Sequence, residues 1–368
     1  MLLNCPAQLV PLLFSESYRE ARGKFVAASP ATRAYGHRAL GPTGENLFTD
    51  VAYLGPSAAD NLLVLISATH GVEGYCGSAC QLQFMSEWTS AHLPPSTAVL
   101  CIHALNPYGF AWDRRVTVEG CDLNRNFVDF DQPLPQNPGY EVLADCLVPP
   151  EFMDEAFTVA DAQLAAYRVR RGYHEYIAAV SSGQYTRPDG LFFGGRGAVE
   201  ARRILESIAS DYEIERRNNV IIIDYHTGLG PYGYGELQCE HPSGLGGYER
   251  AAKIFGPSVT CSDLGTSSSV LILGTQDSYW ERILGDRHTY VALEFGTYDV
   301  NQGLKVLRQD HCLFRCRPEE ADMDLGRQIR TSAKLHYYPQ GHDWKEMVLG
   351  RSSLVNRQAI AALGLAED

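Results

Sequence analysis

The chain has 368 residues, with 31 Lys or Arg against 44 Asp or Glu, a formal net charge of −13. Its 45% hydrophobic and 20% charged residues are the composition of a folded globular protein, which excludes a disordered chain. An acidic balance with no Lys/Arg run also excludes the clustered positive charge that nucleic-acid binding needs.

The length allows one large domain or two medium ones. The first residues, MLLNCPAQLVPLLF, are apolar but lack a basic start and carry an early Pro, and residues 18–24 read as a polar helix. A signal peptide is therefore not expected. No stretch reaches the roughly 20 apolar residues of a membrane span, so no membrane partner is expected either. The ten cysteines are scattered without a CxxC pair, and Cys76, Cys80 and Cys101 lie in apolar segments. Reduced thiols in a cytoplasmic protein are the expectation.

Along the chain, short apolar β-rich runs alternate with helix-period stretches. Residues 62–67, 98–104, 220–224, 270–273 and 290–295 read as strands buried on both faces, because they lack polar alternation. Residues 77–88, 199–212 and 248–255 read as helices. The fold class expected is α/β: a mixed, mostly parallel central sheet flanked by helices. Residues 129–195 break the rhythm with a Pro-rich loop, a long helical stretch over 151–181 and a Gly-rich loop at 191–197. They read as a helical and loop insertion on a single domain of residues 1–368, shaping a pocket rim.

In open parallel sheets ligands gather beyond the carboxyl ends of the strands, and several of these ends are unusual here. The first strong strand runs into Thr69-His70-Gly71-Val72-Glu73-Gly74. HxxE on a tight, Gly-flanked turn lets an imidazole and a carboxylate reach one cation; the plainer reading is a turn His beside a Glu favoured by a helix dipole. A later strand ends Ile223-Asp224-Tyr225-His226-Thr227-Gly228. His226 alone reads as a hydrogen-bonded structural residue. With His70 and Glu73 it completes a His2Glu set, which leaves a fourth position open as catalytic zinc sites do. Asp224 or a backbone carbonyl is placed to orient an imidazole.

The last strand ends Ala292-Leu293-Glu294-Phe295-Gly296. A carboxylate in an apolar strand is either on a solvent-facing edge or tuned by partial desolvation toward general-base work. Between these ends lie Arg114-Arg115 and Asp122-Leu123-Asn124-Arg125-Asn126. Arg and Asn suit carboxylate recognition, and an Arg near a metal can hold a developing oxyanion; an Arg pair on its own is ordinarily surface charge. Two motifs are set aside. Gly228-Leu-Gly230-Pro-Tyr-Gly233 matches GxGxxG but continues as a Pro- and Tyr-containing loop rather than a helix. The Ser-rich 267–269 segment lacks a GxSxG elbow.

Taken in order, His70-x-x-Glu73, Asn124-Arg125, His226 and Glu294 resemble the M14-type zinc carboxypeptidases and their aspartoacylase and succinylglutamate desuccinylase relatives. The local wording HGVEG, NPYGFAWDRR, DLNRNF, DYHTGLGPYG and LEFGTY resembles the DUF2817 branch of that superfamily, from about Ser15 to the C-terminus. The resemblance implies one zinc ion held by His70, Glu73 and His226, with Glu294 as the base. It implies substrate binding by Asn124 and Arg125, and a carbonyl-polarising Arg115 with Arg114 the competing, substrate-binding choice. The family's mobile active-site Tyr is left among Tyr232, Tyr234 and Tyr298. The implied activity is hydrolysis of an amide next to a free carboxylate in a small peptide, with N-acyl amino acid deacylation as the alternative. A non-catalytic binding protein on the same fold would require a lost ligand or base, and neither is lost.

Overall fold

Leu62 to Ile66, Val220 to Ile223 and Val291 to Leu293 are fully or nearly fully buried without alternation, because each segment sits inside a sheet covered on both faces. A computed structural model describes residues 10–29, 31–241, 244 and 246–365. Residues 1–9, on which much of the argument against a signal peptide rests, lie outside the described residues, and Cys5 with them.

The sheet has eight strands: β1 (Thr32–Leu40), β2 (Asn46–Leu54), β3 (Asn61–Ile66), β4 (Thr97–His103), β5 (Asn219–Thr227), β6 (Gly235–Cys239), β7 (Val259–Cys261) and β8 (His288–Phe295). Their spatial order is β1-β2-β4-β3-β5-β8-β6-β7. The central four, β4-β3-β5-β8, are parallel. Antiparallel partners flank them, β2 on β4 and β6 on β8. The chain steps from β3 to β4 on one side and then returns past β3 to β5 on the other. The carboxyl ends of β3 and β5 thus flank a topological switch point, where a crevice opens by construction.

Side chains alternate between two cores. Leu63, Leu65, Ile221, Ile223 and Leu293 pack against helices Gly74–Glu87 and His342–Gly364. Leu62, Val64, Ile222, Tyr290 and Ala292 pack against helices Glu200–Asp211 and Gln276–Leu284. Each buried Leu, Ile or Val among them contributes about 1.5–3 kcal/mol of burial, so the strand register is strongly fixed. A third cluster joins helices Pro138–Leu147, Asp154–Arg171 and Tyr173–Ser181 to Leu307 and Cys312 of helix Val300–Cys316. Among the described residues no helix is long and apolar enough to cross a membrane. The described cysteines are free thiols.

Two expectations are corrected. Residues 270–273 form no strand: the stretch is irregular, and Val270 and Ile272 are apolar because they line a cavity. The helical stretch 151–181 is two helices, broken at Gly172, whose φ of 86° ends the first.

Candidate metal centre

The backbone brings the three candidate ligands to the crevice. Beyond β3, Ala68 turns the chain in the left-handed region at φ 59°, and His70 then caps a single 3-10 turn, Gly71–Glu73. Gly71 is required there: a Cβ would lie 2.0 Å from the carbonyl carbon of Gly109, so only a bare backbone fits against the NPYG loop. His226 needs no special turn. It stands near the end of β5 on the face that also carries Asp224, and pairs in parallel register with Glu294 of β8.

His70 Nδ1 lies 2.9 Å from Glu73 Oε1, His226 Nδ1 lies 3.0 Å from Glu73 Oε2, and the two Nδ1 atoms are 3.2 Å apart. All three residues are buried. Four-coordinate zinc with bonds of about 2.0–2.1 Å separates neighbouring ligand atoms by roughly 3.3 Å, so these spacings fit a shared ion. The outer contacts agree. His226 Nε2 meets Asp224 Oδ2 at 2.9 Å, which puts the proton on Nε2 and turns the Nδ1 lone pair toward His70 and Glu73. Asp224 is itself held by Thr69, Tyr290 and Gln276. His70 Nε2 lies between Asp122 Oδ1 at 3.1 Å and the Arg115 guanidinium at 2.8 Å. With both imidazoles neutral, two Nδ1 lone pairs and a carboxylate converge on one point, so the donor set fits a divalent metal.

The charges are interlocked. Burial alone would raise the Glu73 carboxyl, but the His70 and His226 imidazoles more than offset this and hold it below the usual carboxylate range. Burial would lower His226, yet Asp224 and Glu73 raise it well above the ordinary imidazole value. Glu294 goes the other way: burial, and then the nearby Glu73 charge, push its carboxyl up to about 8. Its Oε1 accepts the Leu229 N–H at 2.9 Å. A buried carboxyl poised near neutrality beside the candidate ligands has the properties expected of a general base.

A cavity of about 310 Å³ opens over this group, lined by all three candidate ligands together with Glu294, Arg115, Asn124 and Arg125. Arg115 is fixed by Asp122 at 2.9 Å and Glu73 at 3.1 Å. Asn124 Oδ1 accepts the Gln276 N–H at 2.8 Å. Arg125 donates to the Asn124 and Ser181 carbonyls, while its buried Nε has no partner among the described residues. Arg114, expected as a substrate-binding residue, does not reach the cavity. It pairs with Asp310 at 2.8–3.1 Å and stacks over Phe314, since consecutive residues here point to opposite sides of the loop.

Tyr232, Tyr234 and Tyr298 are exposed and do not line the cavity. Tyr337 does, at the end of helix Asp324–Tyr337, packed so closely on Gly228 that a Cβ there would stand 3.0 Å from its ring. Phe192 lies under both the Arg115 and Arg125 guanidinium groups, at 5.5 and 5.4 Å. Glu240, just past β6, also faces the cavity, and burial followed by the Asp277 charge raises its carboxyl to about 7. Asp122, Glu240 and Tyr337 carried no sequence signal beyond residue type; only Asp122 stood inside a quoted motif.

No curated protein matches the chain. Among solved structures, murein-tripeptide amidase MpaA from Escherichia coli O157 is 15% identical, over 80% of this chain and 95% of that one, with a TM-score of 0.36. Carboxypeptidase A from Helicoverpa armigera is 12% identical over 86% and 71%, with a TM-score of 0.39. Succinylglutamate desuccinylase from Chromobacterium violaceum is 13% identical over 83% and 75%, with a TM-score of 0.38. The motifs that form the crevice, from HGVEG through LEFGTY, all fall within residues 14–351, the span matched by the family model described as "Protein of unknown function (DUF2817)". The chain belongs to the DUF2817 family.

Proposed function

We propose that the chain is a zinc-dependent hydrolase of an amide bond next to a free carboxylate. The observation that carries this is the convergence of His70 Nδ1, Glu73 and His226 Nδ1 in one cavity with the raised carboxyl of Glu294. His70, Glu73 and His226 would hold the ion. When bound, zinc supplies a Lewis acid that polarises the scissile carbonyl and eases deprotonation of water.

The chain's own residues do the rest. Glu294 takes a proton from the attacking water and returns it to the leaving nitrogen. Arg115, anchored by Asp122, offers positive charge to the developing oxyanion. The Arg125 guanidinium and the Asn124 amide, which line the cavity, receive the substrate carboxylate and set its register. Residues 129–195, read as an insertion, furnish one wall through helix Tyr173–Ser181 and Phe192.

That wall supports N-acyl amino acid deacylation as the second reading. A volume of about 310 Å³ is at the small end for ligand sites and suits one amino acid with a short acyl group. Hydrolysis of C-terminally free peptides and of N-acyl amino acids, assayed with and without chelator, separates the two. Chelator-insensitive turnover, or no turnover of either class with zinc present, rejects the proposal.

A further inference from the structure

A second constellation of metal-ligand type lies beyond the end of β6. His241, Asp277 and His288 are buried at 4%, 4% and 1% exposure, and their ligand atoms lie within 4.8 Å of one another. They come from three elements: His241 from the segment after β6, Asp277 from the first turn of helix Gln276–Leu284, and His288 from the first residue of β8. Glu281, one turn beyond Asp277 on the same helix, presents a half-exposed carboxylate to the same group.

Hydrogen bonding satisfies only part of this group: the buried His241 Nε2 has no hydrogen-bond partner among the described residues. His288 Nδ1 is 2.6 Å from the Gly285 carbonyl, which fixes the proton on Nδ1. On the other side of the ring His288 Nε2 lies 3.0 Å from Asp277 Oδ1. His241 Nδ1 stands 3.6 Å from Asp277 Oδ2 and 3.5 Å from Glu281 Oε2. Such spacings are long for hydrogen bonds but close to the roughly 3.3 Å that separates ligands around a tetrahedral ion. The His241 spacings stand just above that value and the His288–Asp277 spacing just below it.

We propose that His241, Asp277 and His288 form a second zinc-binding site, with Glu281 beside His241. Two imidazoles and a carboxylate are a donor set zinc accepts. The ion's place suggests its effect. Asp277 follows Gln276, whose N–H holds Asn124 and whose side chain reaches Asp224. A cation here pins the start of that helix, and with it the residues behind the first centre.

The test is zinc content per chain by mass spectrometry after equilibration of the full-length protein with zinc and removal of excess. Two equivalents are expected in the wild type, one in His241→Ala/His288→Ala and one in His70→Ala/His226→Ala. A wild type with one zinc that His70→Ala/His226→Ala abolishes overturns the second site and leaves the first. One zinc that survives in His70→Ala/His226→Ala does the reverse, so the two readings fail separately. Should His241→Ala/His288→Ala fail to fold, cobalt(II) added to His70→Ala/His226→Ala reports on the intact second site. Visible absorption typical of four-coordinate cobalt is expected there, and its absence overturns the site.

Discussion

His226 and Glu294 stand directly opposite each other on neighbouring parallel strands, β5 and β8. The pairing sets a candidate ligand and a candidate base on one face at the mouth of the same crevice, without any contribution from loop conformation. Glu294→Gln keeps the shape of this pair and the acceptor for the Leu229 N–H, but removes the proton acceptor. Zinc content is expected to stay at the wild-type level, with hydrolysis reduced by about 10²–10⁴-fold, the usual worth of a positioned acid–base group. Full activity in the variant would remove Glu294 from the mechanism.

The same residue makes a stability prediction for the metal-free protein. Its folded carboxyl is raised to about 8 by burial and by Glu73. Stability from the protonated form is therefore present below the unfolded carboxyl value and is lost as pH rises through about 8. Gln mimics that protonated form at every pH. In chelator, wild type and Glu294→Gln should unfold with similar free energies near pH 4.5. By pH 8.5 the variant should be the more stable by upwards of about 1.4 kcal/mol, the worth of one pKa unit. Denaturant melts at the two pH values measure it, and parallel curves would contradict it.

Asp224 is fully buried and touches His226 Nε2, Thr69, Tyr290 and Gln276. An Asn in its place keeps the volume but weakens the hold on the imidazole. Zinc affinity measured by competition with a chromophoric chelator is expected to fall about 10–100-fold, as for other residues that orient metal-bound histidines. An unchanged affinity would detach Asp224 from the centre.

The parts of this arrangement that were legible in the sequence are those fixed by burial and local spacing. β3, β4, β5 and β8 could be read because both faces of each are covered, so after one or two polar residues each runs apolar until the polar end. His70, Glu73, His226 and Glu294 stood at such ends. The edge hairpin of β1 and β2 was silent: β1 is largely exposed, with polar residues on both faces, and offers no run to detect. Val270 and Ile272 misled for the opposite reason, since a cavity wall is as apolar as a strand. Tyr337 matters through a partner far away in the chain, Gly228, and Asp122 through His70 as well as the nearby Arg115. Composition and period carry no trace of such pairings.

The choice between the two adjacent arginines, open in the sequence, becomes a pair of opposed outcomes. Arg114 is buried against Asp310 and Phe314, away from the cavity. Arg114→Ala strands a buried carboxylate, and breaking such a pair costs about 3–5 kcal/mol. Its mark should be a lowered unfolding free energy, with kcat/KM unchanged for the fraction that is folded. Arg115 is braced by Asp122 and Glu73 beside the candidate ligands. Arg115→Lys keeps a charge but loses the planar fork that meets both carboxylates at once. It should retain most of its stability and lose about 10²–10³-fold in kcat, as does removal of an oxyanion donor. Equal kinetic losses in the two variants would mean that the cavity admits both guanidinium groups, against the geometry of the loop that separates them.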